Sequence, residues 1–300
     1  MSDADYRSGF VAVMGRPNVG KSTLVNALVA EKISIVTPKP QTTRHSILGI
    51  LSRPDCQIAF VDTPGLHEPG KQLMNRAMVK SAGASLAGAD LALLVVEARG
   101  WRAGDDLAWA RVKESGIPAM LVVNKLDQLK PRDKVLAYLE ECAERVDVEA
   151  IVPVSARTGD NLERLLDAIL EHLPAGPALF PVDIKTDRGA EFRIAEVIRE
   201  KLLFVLHQEL PYGLAVEVQA LERRGDLLLA DVTIWVDRAS HQGMVIGRGG
   251  ERIKDVGRSA RLELEKLFSQ RVHLETRVKV KENWRDSAAA LRQLGYEEPG

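Results

Sequence analysis

The 300-residue sequence predicts an α/β domain with a mostly parallel six-stranded sheet, followed by a smaller α+β domain. Three observations support this fold class. Short apolar runs alternate with segments of helical period through the first half of the chain. Residues 173–177 then bring two prolines and a glycine together, where a chain would leave a completed domain. After them the order of predicted elements changes to α-β-β-α-α-β.

Six apolar, often β-branched runs predict the strands of the first domain, at residues 10–14, 47–51, 57–61, 91–96, 119–123 and 151–154. Helical periodicity predicts the crossovers between them, near residues 21–30, 73–86, 105–115, 133–146 and 161–173. Right-handed crossovers place helices on both faces of a largely parallel sheet. We expect this domain to occupy residues 1–176.

The second domain, residues 177–300, begins with a predicted helix at 190–208. Alternating residues from 214 to 236, with a turn at 223–226, predict a strand pair. Two helices flank residues 247–250, and period-two alternation over 272–280 predicts the last strand.

Composition excludes several classes of protein. The chain is 45% hydrophobic and 28% charged, which is typical of a folded globular protein. Its longest apolar run, residues 91–96, is far shorter than the roughly 20 residues that span a bilayer. Two cysteines, Cys56 and Cys142, are too few for a disulfide framework or a four-cysteine zinc site. With no secretory signal at the N-terminus, we expect a cytoplasmic protein.

Charge is balanced overall but not locally. The net charge of −1 argues against a chain that coats nucleic acid through bulk charge. Residues 241–285 hold eleven Lys and Arg against six Asp and Glu, a local excess of five positive charges. One segment of the second domain is therefore basic.

The first strand leads into a phosphate-loop motif. Residues 15–22 are Gly-Arg-Pro-Asn-Val-Gly-Lys-Ser, which satisfies G-x-x-x-x-G-K-[ST] in the required strand–loop–helix setting. Gly15 and Gly20 allow backbone turns that direct N–H groups at phosphates, and the helix N-terminus adds positive potential. Lys21 would bridge the β- and γ-phosphates, and the Ser22 hydroxyl would bind Mg²⁺. An ordinary glycine-rich turn is disfavoured because four fixed positions match.

A second motif follows the strand at 57–61. Asp62, Thr63, Pro64 and Gly65 place a carboxylate where it can hold Mg²⁺ through water and a glycine N–H where it can contact a γ-phosphate. The same four residues alone would be a common turn sequence. Their position downstream of a phosphate loop favours the nucleotide site.

Two further strand ends would select the base. Asn124, Lys125 and Asp127 follow the strand at 119–123, and Ser155 and Ala156 follow the strand at 151–154. A carboxylate at Asp127 can accept hydrogen bonds from both guanine N1–H and the 2-amino group, whereas adenine lacks that donor pair. The Ala156 N–H would donate to guanine O6. The sequence therefore favours guanine over adenine.

These motifs resemble the G1, G3, G4 and G5 elements of GTPases related to translation factors, and residues 15–22 resemble those of the Era-type branch. The resemblance implies GTP or GDP with Mg²⁺ as ligands, and contacts also from Asn18, Val19 and Thr23. It places the G2 element at residues 40–44, where Thr43, or alternatively Thr42, would close over Mg²⁺ and the γ-phosphate. Catalytic roles would then belong to Lys21, Thr43 and Gly65, and metal ligation to Ser22, Thr43 and Asp62.

Two positions bear on hydrolysis. Ras-like proteins place a water-orienting Gln directly after the G3 glycine, but this chain has Leu66. We therefore expect slow intrinsic hydrolysis, with the missing group supplied by backbone, a conformational change or a partner. Asn18 resembles a residue through which some relatives hold K⁺ near the phosphates; an asparagine that only stabilises the loop is the alternative.

The second domain contains a G-x-x-G loop, Gly247, Arg248, Gly249 and Gly250, preceded by Ile246. Glycines there allow a sugar-phosphate backbone to approach a helix N-terminus, and Arg248 and Lys254 would add charge. Alone, such a loop is more often a helix–helix turn. With the α-β-β-α-α-β order and the basic segment, it resembles a type II KH domain, which binds single-stranded RNA. Lys279 and Lys281 fit either a solvated strand face or RNA contact, and we interpret Trp235 as a packing residue.

The combined resemblance, from Phe10 to about Tyr296, is to the Era family. It implies a monomeric factor that binds 16S rRNA near its 3′ end, assists assembly of the 30S subunit under control of its GTP state, and contacts the inner membrane peripherally. No amphipathic or lipidation signal supports the membrane contact. Two alternatives stay open: a GTPase acting on tRNA or translation, and an RNA-binding module whose nucleotide is mainly structural.

Overall fold

The structure, a computed structural model, describes residues 6–66, 72–129, 133–206 and 213–296. The chain forms two compact units. The N-terminal unit includes residues 75–187 and most of the chain before them, and the C-terminal unit runs from residue 188 and also includes residues 71–74.

The N-terminal unit contains the predicted six-stranded, mostly parallel sheet. Its strands are β1 (Arg7–Met14), β2 (Ile47–Ser52), β3 (Cys56–Asp62), β4 (Leu91–Glu97), β5 (Ala119–Asn124) and β6 (Ala150–Pro153). They lie in the order β2-β3-β1-β4-β5-β6, and all neighbours are parallel except β2 and β3. The carboxyl ends of β1, β3, β4 and β5 therefore meet at one edge of the sheet.

Four helices of the described ranges lie between these strands and a fifth follows β6: α1 (Lys21–Val29), α2 (Leu73–Ala87), α3 (Ala103–Ser115), α4 (Asp133–Arg145) and then α5 (Leu162–His172). The central strands β4 and β5 are buried along nearly their whole length, as expected for strands covered on both faces. The predicted fold class of this unit is confirmed.

The segment after α5 belongs to the N-terminal unit. The Ile50 amide donates to the Lys185 carbonyl (2.8 Å), and Thr186 forms an isolated bridge with Gly49 of edge strand β2. The division of the chain thus falls between Asp187 and Arg188, later than the predicted boundary after residue 176. The prolines at the end of α5 stop the helix, but the chain then follows the sheet edge before leaving it.

The C-terminal unit has the predicted α-β-β-α-α-β order. Its elements are α6 (Ala190–Val205), β7 (Leu214–Arg224), β8 (Leu227–Val236), α7 (Ala239–Ile246), α8 (Glu251–Phe268) and β9 (Arg271–Val280). The sheet order is β7-β8-β9, with β7 and β8 antiparallel and β8 and β9 parallel. A further helix, α9 (Ala288–Gln293), follows β9 and was not predicted. None of the helices in the described ranges is long and apolar enough to span a membrane.

Candidate nucleotide site and RNA-binding loop

The loop between β1 and α1 requires glycine at two positions. Gly15 has φ +147°, and a Cβ there would lie 2.5 Å from the Val95 carbonyl oxygen. Gly20 has φ +100°, and a Cβ there would lie 2.4 Å from Asn124 Nδ2. Both contacts are too short for any larger residue, so the sequence motif reflects how closely this loop packs against β4 and β5.

Lys21, the first residue of α1, lies inside the loop. Its ammonium donates to the carbonyl oxygens of Gly15 (2.9 Å) and Arg16 (3.0 Å). Burial lowers the pKa of Lys21 to about 8, although the Asp62 carboxylate opposes that shift. The amine is therefore held where phosphate oxygens would approach the loop.

The predicted metal ligands come together. Ser22 Oγ lies 2.8 Å from Thr43 Oγ1, while Thr42 Oγ1 lies 2.6 Å from Thr37 Oγ1 and also donates to the Lys39 carbonyl. The structure thus brings Thr43 rather than Thr42 to Ser22. Asp62 is fully buried, and neither of its carboxylate oxygens is hydrogen-bonded within the described residues.

Burial raises the pKa of Asp62, and the nearby hydroxyls of Ser34 and Ser22 oppose that rise. A buried carboxylate with unsatisfied oxygens beside two hydroxyls is costly unless a cation or donor compensates it. Oxygen atoms are the ligands that Mg²⁺ prefers. The residues present therefore fit a magnesium ion.

Gly65 and Leu66 follow this carboxylate. A Cβ on Gly65 would lie 2.8 Å from Pro17 Cα, so the segment packs directly on the phosphate loop. The Leu66 amide donates to the Gly15 carbonyl (3.2 Å), and its side chain is buried in the core with Met14. Leu66 therefore has no role in orienting water through its side chain.

Asn124 joins three of the motifs. Its Nδ2 donates to the Val19 carbonyl (3.0 Å), and its Oδ1 accepts from the Ala156 amide (3.0 Å) and the Lys125 amide (2.7 Å). The Ala156 N–H, predicted to contact guanine O6, thus donates to Asn124 in this structure. The arrangement fixes the phosphate loop and both base-selecting segments to one side chain.

Asp127 lies at the far end of this group. The Ser155 hydroxyl donates to Asp127 Oδ1 (2.7 Å), and Arg157 forms an ion pair with Oδ2 (2.7 Å). Ser155 is fully buried, so the hydroxyl that holds this carboxylate lies on its protein side. Both carboxylate oxygens of Asp127 are therefore held by neighbouring side chains in this structure, and guanine selection by Asp127 stays a prediction.

Asn18 links the phosphate loop to the backbone just before the predicted G2 segment at residues 40–44. Its φ is +65°, and its Nδ2 donates to the Pro38 carbonyl (2.9 Å). Val19 is fully buried, and Thr23 lies in the first turn of α1. K⁺ binding at Asn18 stays a prediction.

Two carboxylates near the site, Glu97 and Asp105, were not predicted. Glu97, at the end of β4, contacts both Arg16 and Lys125, and Arg16 also pairs with Asp105. No motif marks these positions. A carboxylate at the carboxyl end of a central parallel strand is the one signal that could have singled out Glu97.

In the C-terminal unit, the predicted glycine loop joins α7 to α8. Gly247 has φ +76°, and a Cβ there would lie 2.7 Å from Arg252 Cβ. Gly249 and Gly250 also have positive φ but open space around them. Ile246 ends α7, while Arg248 and Lys254 are exposed on the loop and on α8. The loop thus presents glycine backbone and positive charge together.

Lys279 of β9 and Lys281, just after it, have an aromatic partner. Nζ of Lys279 lies 5.9 Å and Nζ of Lys281 lies 5.1 Å from the centroid of the Trp235 ring. The Trp235 indole also donates to Glu217 (2.6 Å). Trp235 therefore contacts basic side chains, contrary to its interpretation as a packing residue without basic neighbours.

Comparisons with known proteins agree with this geometry. The family described as 50S ribosome-binding GTPase matches residues 10–125, and the KH domain family matches residues 209–285. The chain is 47% identical to GTPase Era of Stenotrophomonas maltophilia, over 97% of this chain and 98% of that protein. It is also 47% identical to GTPase Era of Trichlorobacter lovleyi, over 99% of this chain and 100% of that protein.

Two solved structures resemble the whole chain. One is a variant of Aquifex aeolicus Era bound to GDP·AlF4⁻, with a TM-score of 0.94 and 38% identity over 97% of this chain and 99% of that one. The other is Era in complex with MgGDPNP and nucleotides 1506–1542 of 16S ribosomal RNA, with the same TM-score of 0.94, identity of 38% and coverage of 97% and 99%.

Proposed function

This chain belongs to the Era family of GTPases, and from that premise we propose that it binds 16S rRNA near its 3′ end and assists assembly of the small ribosomal subunit. One observation carries the proposal. The residues predicted to bind nucleotide and the glycine-rich loop predicted to bind RNA occur in one chain whose fold matches, over 97% of its length, an Era bound to a GTP analogue and a 16S rRNA fragment.

The N-terminal unit would hold GTP through its backbone and a few side chains. The amides of residues 15–22 and the Lys21 ammonium would contact phosphate oxygens, and Asp127 would select guanine. Ser22, Thr43 and Asp62 would hold Mg²⁺, which neutralises charge on the β- and γ-phosphates when bound. Binding would thus replace the Ser22–Thr43 contact with shared contacts to the ion.

Hydrolysis would be slow without a further group. The side chain of Leu66 is buried in the core and carries no group that could hydrogen-bond a water molecule. Backbone N–H groups near Gly65, a conformational change or a bound partner would then have to orient the water. RNA bound to the C-terminal unit is the partner we propose.

The RNA clamp would be the loop between α7 and α8. Gly247, Gly249 and Gly250 allow a sugar-phosphate backbone to come close, and the exposed Arg248 and Lys254 add charge. We propose that GTP and Mg²⁺ order the segments around Thr43 and Gly65 and that this order changes RNA affinity. The support is a hydrogen-bonded connection: β2 begins shortly after Thr43, and its Gly49 forms a bridge with Thr186, just before the C-terminal unit begins.

Multiple-turnover GTP hydrolysis, with and without an RNA matching the 3′ end of 16S rRNA, tests this function. We expect RNA to stimulate turnover by the wild type and not by Gly247→Asp/Gly250→Asp. The matched control is Gly225→Asp, which places the same residue at a positive-φ glycine with open space, in the turn between β7 and β8. Stimulation of the double variant equal to that of the control would contradict the clamp.

The buried Leu66 also favours a second candidate, an RNA-binding module whose nucleotide is mainly structural. Release of many phosphates per protein molecule would exclude it. A single turnover followed by retention of GDP, with normal RNA binding, would support it.

We further propose a cytoplasmic monomer that contacts the inner membrane peripherally. Both cysteines are buried and unpaired, which suits a reducing compartment. The membrane contact rests on the family resemblance, and sedimentation with anionic vesicles at fixed salt tests it.

A further inference from the structure

We infer that Glu97 is a positioning residue for guanine nucleotides. In this assignment its carboxylate joins Arg16 of the phosphate loop to Lys125 of the base-selecting segment and thereby prolongs the lifetime of bound nucleotide. The inference rests on guanine-nucleotide binding by the N-terminal unit and is independent of the RNA part of the proposed function.

The position of Glu97 follows from the sheet order. β4 lies between β1 and β5, so its carboxyl end lies between the strands that lead into the phosphate loop and the base-selecting segment. One carboxylate oxygen of Glu97 accepts from Arg16 Nη2 (2.9 Å), and the other accepts from Lys125 Nζ. The side chain is only 12% exposed. One carboxylate therefore joins two loops that are far apart in sequence.

A second carboxylate holds Arg16. Its Nε also pairs with Asp105 at 3.2 Å, and Asp105 is fully buried at the start of α3. Gly104 makes room for this approach, because a Cβ there would lie 3.1 Å from Arg16 Cβ. Two carboxylates thus direct this guanidinium into the protein.

Lys125 connects the same network to the loop backbone. Besides Glu97, its ammonium donates to the Asn18 carbonyl (2.5 Å). Burial alone would raise the pKa of Glu97, but Lys125 and Arg16 outweigh it and the pKa is lowered. The carboxylate is therefore charged at neutral pH. The network holds residues 16–18 from both sides, next to the carbonyls that receive Lys21.

Loss of this charge would leave two cations without their shared counterion. Arg16 and Lys125 would then repel each other more strongly, and Lys125 could leave the Asn18 carbonyl. The phosphate loop and the base-selecting segment would lose their common anchor, so nucleotide would dissociate faster. Because the side-chain contacts of Glu97 are to Arg16 and Lys125 and not to Lys21, Thr43 or Asp62, we expect the rate at saturating GTP to stay the same. We therefore expect loss of the Glu97 charge to raise KM and the rate of nucleotide dissociation.

The experiment compares Glu97→Gln with wild type by binding and dissociation of a fluorescent GDP analogue, together with steady-state GTP hydrolysis. Because charged hydrogen bonds are lost, we expect the Kd to rise about tenfold, mostly through faster dissociation, with kcat within about twofold. The matched control is Glu163→Gln, which removes an exposed carboxylate 2.9 Å from Arg53 and should bind like wild type. Glu97→Asp keeps the charge on a shorter side chain, so its Kd should lie between those of wild type and Glu97→Gln. It replaces Glu97→Gln in the experiment if that variant does not fold.

A double-mutant cycle separates positioning from general stability. If Glu97 acts through Lys125, its substitution should have a much smaller effect on Kd in a Lys125→Met background. Fully additive effects with both Lys125→Met and Arg16→Met would overturn the inference. An unchanged Kd in Glu97→Gln, or a lower melting temperature of the nucleotide-free protein with unchanged Kd, would overturn it too. Failure of the wild type to bind GDP would instead contradict the nucleotide function itself.

Discussion

At the residue scale, Lys21 brings an amine into a buried position where it contacts two backbone carbonyls. Burial lowers its pKa to about 8, whereas bound phosphates would raise it again. Above that pH the free protein has lost the proton that the complex needs. Nucleotide affinity should therefore fall as pH rises above 8, because binding must first restore the charge.

Calorimetry of GDP binding in two buffers of different ionisation enthalpy measures directly how many protons the protein takes up on binding. We expect uptake of about half a proton per GDP at pH 8 and almost none at pH 6.5, since Lys21 is then charged in both states. Lys113→Met, at an exposed position of α3, should show the same uptake as wild type. Absence of uptake at pH 8 would contradict the assignment of this proton to Lys21.

Substitution of Asp127 should change which base the protein prefers. An Asn there keeps one carbonyl acceptor and replaces the second oxygen with an NH2 donor group, which suits the additional carbonyl of xanthine. We expect Asp127→Asn to weaken GDP binding about 100-fold or more and to improve binding of xanthosine diphosphate. Competition binding with both nucleotides checks this.

Asp167→Asn, on the exposed face of α5, should leave both affinities unchanged. Equal losses for guanosine and xanthosine diphosphate in Asp127→Asn would indicate a damaged fold rather than a changed preference.

At the element scale, Gln57 of β3 fixes the segment that follows α5. Its buried amide donates to Ser52 Oγ (3.0 Å) and the Phe180 carbonyl (2.8 Å), and it accepts from the amides of Leu179 (2.6 Å) and Phe180 (2.8 Å). Gln57→Ala leaves these groups unpaired. We expect a loss of about 2–4 kcal/mol in the free energy of unfolding, measured by urea titration.

Ser52→Ala removes only one of the four contacts and should cost less than about 1 kcal/mol. Limited proteolysis should cut residues 177–187 faster in Gln57→Ala than in Ser52→Ala. Equal unfolding free energies for the two variants would show that Gln57 does not hold this segment.

The loop between α7 and α8 contains glycines with different requirements. Gly247 has φ +76° and ψ 174°, a conformation open essentially to glycine alone, and a Cβ there would meet Arg252. Gly249 has φ +59° and ψ 15° with open space around it. By thermal unfolding, Gly247→Ala should lose about 2–3 kcal/mol and Gly249→Ala about 1 kcal/mol. The reverse order would contradict this loop geometry.

At the scale of the whole molecule, local signals were enough to predict most elements. The strands of the N-terminal unit are apolar runs flanked by motif residues, and the clean alternation along β9 predicts one buried face. The motifs at Gly15, Asp62, Asn124 and Ser155 follow strands of one parallel sheet, so their convergence was predictable as well.

Features that depend on packing between distant segments could not be predicted. The choice between Thr42 and Thr43 needed the position of Ser22 in space, because both threonines share one sequence context. The pairing of residues 185 and 186 with β2 leaves no periodic pattern. Glu97 carries no motif, because its role depends on two loops that meet only in the folded sheet.

The central claim is that nucleotide state controls RNA binding. The measurement that tests it most directly is the affinity of the full chain for an RNA matching the 3′ end of 16S rRNA, at fixed salt, with no nucleotide, with GDP and with a non-hydrolysable GTP analogue plus Mg²⁺. We predict the tightest binding with the GTP analogue, by about fivefold or more over GDP. Equal affinities in all three states would contradict the claim, because a ligand that does not distinguish two states cannot shift the balance between them.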